Sequence, residues 1–146
     1  MKKRLNWVKF QFAARPENIA LARVAAASFA SQLDWNLADL DEIKVAVSEA
    51  VSNAIIHGYD RNPEGVVELE MSLLEGEVLE FIVRDSGKGI PDVKQAMEPA
   101  FSTLPDSMGL GFTFMQSFMD ELEVESSPGR GTTVTMRKKF PAEAGV

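Results

Sequence analysis

Polarity alternates with a period of two from Leu5 to Ala13. This sets Leu5, Trp7, Lys9 and Gln11 against Val8, Phe10 and Phe12, the period-two pattern of a strand. Pro16 stands where a first helical turn begins, and the alanine-rich run Glu17 to Leu33 repeats Ala20, Val24, Ala27, Phe29 and Leu33 at roughly helical spacing. Asp34-Trp35-Asn36 interrupts it. A second helix is predicted over Leu37 to Gly58, with Asn36 suited to cap its start and Gly58 suited to a left-handed end. The segment from Asp60 to Gly65 is turn chemistry. Val67, Leu69, Met71 and Leu73 then line one face of a strand, and Val78 to Asp85 forms its hairpin partner across Glu75-Gly76-Glu77. An irregular stretch reaches Gly111. Beyond it the pattern predicts a helix over Phe112 to Leu122, a short strand over Glu123 to Ser126, a turn over Ser127 to Gly131 and a last strand over Thr132 to Phe140.

Strand, two helices, hairpin, long loop, helix, two strands: this order predicts an α+β two-layer sandwich, a mixed but mostly antiparallel sheet with helices on one face. With 146 residues, 45% of them hydrophobic, one domain over residues 1–140 and a frayed tail over 141–146 are expected. The absence of cysteine removes disulfides, thiolate metal sites and cysteine nucleophiles, and the single His57 removes histidine-rich zinc sites. A net charge of −7 argues against direct nucleic-acid binding. Met1-Lys2-Lys3-Arg4 is followed by alternating polarity instead of a signal-peptide core, and no apolar run approaches a membrane span, so a cytoplasmic location is expected. Carboxylates, amides, hydroxyls and backbone remain for the chemistry.

The second predicted helix concentrates it. Ile43, Val47, Ala50, Val51 and Ala54 share a stripe, and Glu49, Asn53 and His57 advance along its edge in steps of four, with Val45 and Ile56 beyond them. A carboxylate and an amide between apolar neighbours need partners. Two readings fit: a hydrogen-bonded core network, or a base at Glu49 with a magnesium or water ligand at Asn53, since a neutral amide oxygen suits that hard cation. Asp85-Ser86-Gly87-Lys88-Gly89-Ile90 closes an apolar strand. It reads either as a turn or as a carboxylate accepting from the amine of adenine, with glycines that let backbone approach the ring. Ser107-Met108-Gly109-Leu110-Gly111 before a helix offers backbone N–H groups to phosphate. Gly129-Arg130-Gly131-Thr132-Thr133 reads as a hairpin turn whose threonines are placed to support Asp85 or a base-bound water.

Together these four segments resemble the N, G1, G2 and G3 boxes of the GHKL ATP-binding superfamily of Hsp90, gyrase B, histidine kinases and MutL. Val47 to Tyr59, Gly109 to Met115 and Ser117 to Ser126 are similar to the anti-sigma serine kinases, the sporulation anti-sigma F group in particular. The resemblance covers nearly the whole chain. It implies a dimeric protein that binds Mg·ATP, holds a sigma factor inactive and phosphorylates a serine of an anti-anti-sigma protein. Carried over residue by residue, it implies Glu49 as general base and Asn53 as Mg²⁺ ligand. Asp85 would read adenine with support from Thr133, and Gly87, Gly89, Ile90 and His57 would line the nucleotide pocket. Gly109, Leu110 and Gly111 would meet phosphates, and Arg23 on the first helix would contact the partner. One departure stands out. The ATP lid, about residues 91–108, has no basic residue between Phe101 and Gly109, where sporulation members carry a lysine and an arginine. Lys88, Lys94 and Arg130 are the candidates to replace them. Two other functions are compatible: a nucleotide-binding regulator of the same fold without kinase turnover, and a detached histidine-kinase catalytic domain.

Overall fold

The computed structural model of the chain describes residues 2–97 and 106–141. In order these form β1 (Arg4–Ala13), α1 (Glu17–Ala30), α2 (Leu37–Ser52), a π-helical turn (Asn53–Gly58), β2 (Val66–Leu74), β3 (Val78–Asp85), α3 (Val93–Ala96), α4 (Asp106–Phe118), β4 (Glu121–Ser127) and β5 (Gly131–Lys139). Residues 98–105, nearly half of the predicted lid, and 142–146, most of the predicted tail, lie outside the described residues.

The sheet runs β1-β2-β3-β5-β4, and all four neighbouring pairs are antiparallel, so the expected mixed sheet is antiparallel throughout. The helices cover one face. Every member of the predicted stripe on α2 and its extension (Ile43, Val47, Ala50, Val51 and Ala54) is buried, opposite Leu69, Met71, Leu79, Phe81 and Met136 of the sheet. Each large side chain so removed from water contributes about 1.5–3 kcal/mol before entropy is counted. α2 lies between α1 and α4. Its start is fixed as the sequence predicts, with the Asn36 side chain accepting the Asp39 N–H at 2.7 Å.

Three local expectations change. The helix predicted over Leu37 to Gly58 widens at Asn53, where the Tyr59 N–H reaches back five residues to the Ala54 carbonyl at 3.1 Å. Gly58 does not take the left-handed conformation; Asp60 (φ 50°) and Arg61 (φ 63°) do. The third long helix starts at Asp106, not Phe112, and stops at Phe118 because β4 already begins at Glu121. Lys138, inward on β5 and 9% exposed, anchors that end by donating to the Phe118 carbonyl at 2.7 Å while pairing with Glu42 at 3.3 Å.

Candidate functional site

The C-terminal end of β3, the start of β5, the π-helical turn and α4 converge on a cavity of about 20 Å³, room for one water molecule. Ala50, Ala54, Val83, Ile90, Phe112 and Val134 give it apolar walls, and Asn53, His57, Asp85 and Thr132 supply polar groups. Five of the predicted residues therefore line it directly: Asn53, His57, Asp85, Gly89 and Ile90.

Asp85 ends β3 on the inner face, paired in register with Thr132 of β5. Burial pushes its carboxyl up, opposed by the backbone N–H groups of Gly87 and Thr132. The Gly87 N–H donates to Oδ1 at 2.9 Å. Room for the carboxylate comes from Gly58, where a Cβ would sit 3.0 Å from Oδ1. That is the structural use of a glycine read from sequence as a helix stop.

The second polar wall is Thr132, not Thr133. Strand alternation puts Thr132 inward with Val134 and Met136 and turns Thr133 to the other face. Ser126, inward on β4 and not singled out from sequence, accepts the Ile90 N–H at 2.8 Å, donates to the Gly131 carbonyl at 2.9 Å and touches Thr132 Oγ1 at 2.8 Å. One hydroxyl has one proton, so the three contacts coexist only if Thr132 donates to Ser126. Thr132 Oγ1 is then an acceptor toward the cavity, as is Asp85. The period of two that marks Leu122, Val124 and Ser126 as one face is the signal that points to Ser126 and Thr132.

Asn53 opens the π-helical turn and is 9% exposed, and its Nδ2 has no hydrogen-bond partner among the described residues. A buried amide left so costs about 1–3 kcal/mol, which favours a further group at this position. Glu49 lies one turn earlier, half-buried, with its carboxyl pushed up by burial. A Cβ on Gly111 would lie 2.9 Å from Glu49 Oε2 and 3.3 Å from Asn53 Nδ2, so α4 crosses directly over this pair. His57, four residues on, is pushed down by burial first and by the Lys88 and Arg61 charges next.

Other predicted residues sit elsewhere. Gly87 does not line the cavity: a Cβ there would strike the Gly58 carbonyl at 2.1 Å, so its smallness serves contact between two backbone segments. Gly89 (φ +77°) lines the cavity but is likewise pressed on the Ser127 carbonyl, at 2.1 Å from a would-be Cβ. Gly109 and Gly111 fall within α4, so the free N–H groups expected before a helix start are part of the helix. Leu110 is 57% exposed. Arg23 is exposed on α1, no residue of which lines the cavity. Lys88, one candidate for the missing lid charge, pairs with Asp60 at 2.8 Å.

Residues 12–138 match the histidine kinase-like ATPase domain. The chain is 48% identical over 137 residues to the anti-sigma F factor of Geobacillus stearothermophilus, covering 92% of this chain and 93% of that protein. It is 49% identical over 137 residues to the anti-sigma F factor of Clostridium acetobutylicum, covering 92% and 94%. The chain belongs to the histidine kinase-like ATPase family, among the anti-sigma F factors. In fold it matches the crystal structure of RsbU and RsbW domains from Mycobacterium tuberculosis, with a TM-score of 0.64 and 19% identity over 94% of this chain and 34% of that one. Membership of an ATPase domain family implies that the chain binds a nucleotide. Among the described residues no helix is long and apolar enough to cross a membrane.

Proposed function

We infer that the chain is a Mg·ATP-dependent anti-sigma factor that sequesters a sigma factor and phosphorylates a serine of an anti-anti-sigma protein. One observation carries the nucleotide part: Asp85 and Thr132 Oγ1, side by side on β3 and β5 in the cavity wall, are both acceptors. They suit the exocyclic amine of adenine and repel the carbonyl oxygen that guanine carries there.

Glu49 is the general base on the serine hydroxyl. Burial raises its pKa toward the working pH, which strengthens it as a proton acceptor. The serine oxygen attacks the γ-phosphorus, the bond to the β-phosphate oxygen breaks, ADP leaves and Glu49 takes the hydroxyl proton. No cluster of three metal-binding side chains occurs among the described residues. Asn53 would hold Mg²⁺ together with phosphates and waters, and the ion would supply charge neutralisation on the transferring group. Turning the Asn53 amide over presents its oxygen where Nδ2 now lacks a partner. Sigma-factor capture uses the protein surface, with Arg23 on α1 as the contact, and the active species is a cytoplasmic homodimer.

Labelled Mg·ATP incubated with the protein and its cognate anti-anti-sigma protein tests this. Acid-stable phosphoserine that disappears in Glu49→Ala is the expected result. Nucleotide binding without phosphoserine leaves a non-catalytic regulator, and acid-labile phosphate points to a histidine acceptor.

A further inference from the structure

The chain has a single tyrosine, Tyr59, and its hydroxyl makes two contacts that bear on the cavity without lining it. It accepts the Ser86 N–H at 2.7 Å and donates to the Val66 carbonyl at 2.7 Å. Its ring lies flat on the backbone at Gly65, where an added Cβ would meet ring atoms at 2.5–2.7 Å. One side chain thus ties together the end of the π-helical turn, the start of β2 and the residue after Asp85.

The surrounding backbone makes the tie specific. The Tyr59 N–H closes the π-helical turn on Ala54, so its place depends on the widening that begins at Asn53. The Lys88 N–H donates to the Gly58 carbonyl at 2.8 Å, and Lys88 Nζ pairs with Asp60 at 2.8 Å across the two positive-φ residues Asp60 and Arg61. The loop after Asp85 is therefore clasped to the turn after the helix at Ser86 and Lys88. Between these anchors the Gly87 N–H donates to Asp85 Oδ1. Ser86 is the link between the Asp85 Cα and that donor, so fixing its N–H fixes the direction in which the carboxylate faces the cavity.

We propose that Tyr59 is a positioning residue for nucleobase choice, holding Asp85 at the angle from which it distinguishes adenine from guanine. This deepens the nucleotide reading and rests on it. Removing only the hydroxyl leaves the ring on Gly65, frees the Ser86 N–H and lets the carboxylate swing. An exposed hydrogen bond of this kind is worth about a tenfold change in an equilibrium. A purely structural role would lower thermal stability and leave base preference alone.

Because there is one tyrosine, growth on 3-fluorotyrosine places a single fluorine probe at Tyr59 of the otherwise unaltered protein. Titrate it with ATP and with GTP by fluorine NMR, and measure ATP and GTP affinity calorimetrically for wild type, Tyr59→Phe, Asp85→Asn and the double variant. The expected results are a resonance that moves with ATP, and in Tyr59→Phe an ATP affinity about tenfold weaker with the ATP-over-GTP ratio narrowed by a similar factor. In the Asp85→Asn background, Tyr59→Phe adds nothing further. An unchanged ratio in Tyr59→Phe overturns the proposal, whatever happens to its melting temperature. So does a full additional loss in the double variant. If Tyr59→Phe fails to fold, a resonance unmoved at saturating ATP overturns it alone. If wild type binds no ATP, the nucleotide reading falls and this one with it.

Discussion

Gly111→Ala separates stability from chemistry at this site. Gly111 lies inside α4, and its φ is outside the left-handed region, so alanine fits the backbone and gains about 0.8–1.0 kcal/mol of helix propensity. Against this, the new methyl sits 2.9 Å from Glu49 Oε2 and 3.3 Å from Asn53 Nδ2. Both are ends of flexible side chains, which a rotamer turn carries out of the way at little cost. The two effects nearly cancel, leaving stability within about 1 kcal/mol of wild type, or roughly 3 °C in Tm for a chain this size. Glu49, however, is displaced from its place beside Asn53. Loss of a positioned general base costs about 10²–10⁴ in rate. Thermal melts followed by circular dichroism, beside phosphoryl transfer to the anti-anti-sigma protein at saturating ATP, read the two quantities separately. A near-native Tm with transfer down at least about a hundredfold is expected. Transfer within a few-fold of wild type would refute the placement of Glu49 under α4 as the working base.

Other substitutions bear on the same geometry. Gly131→Ala puts a Cβ 2.1 Å from the Asp85 carbonyl at φ +86°, forcing β3 and β5 apart, and is expected to cost at least about 2 kcal/mol by urea denaturation. Asp85→Asn is expected to stabilise the protein at neutral pH while weakening ATP binding. The folded-state pKa of Asp85 lies above its unfolded value near 3.9, so wild type loses stability as pH rises from there through the folded pKa. The gain of Asp85→Asn over wild type should grow through that window and then level off; denaturation at pH values between about 4 and 7 that shows it shrinking as pH rises would reverse the sign.

Period-two and helical patterning placed β3 correctly at both ends and named the buried stripe of α2, because one-sided burial dictates those spacings. Asn36 was readable as a cap because capping is local chemistry. The π-helical turn was not: it depends on how residues 53–58 meet the loop after Asp85, a contact about thirty residues distant in sequence. The same distance hid the roles of Gly58 and Gly87, which face each other across that contact and read in sequence as a helix stop and a ring contact. The start of α4 is hidden in the sequence because Gly109 and Gly111 are poor helix formers that look like a loop. Val134 and Met136 mark the inner face of β5 in the sequence, and their spacing of two places Thr132 with them and Thr133 on the other side.

Everything assigned to this cavity depends on Asp85 and Thr132 presenting acceptors to an adenine amine. Calorimetric titration of ATP and GTP, each with Mg²⁺, into wild type and Asp85→Asn tests that most directly. Wild type should bind ATP at least about a hundredfold more tightly than GTP, because a site built to pair with an amine rejects an analogue that lacks it. Asp85→Asn, still folded, should lose most of that preference. Equal affinity for the two nucleotides in wild type, or an Asp85→Asn variant that keeps the wild-type preference, would contradict it.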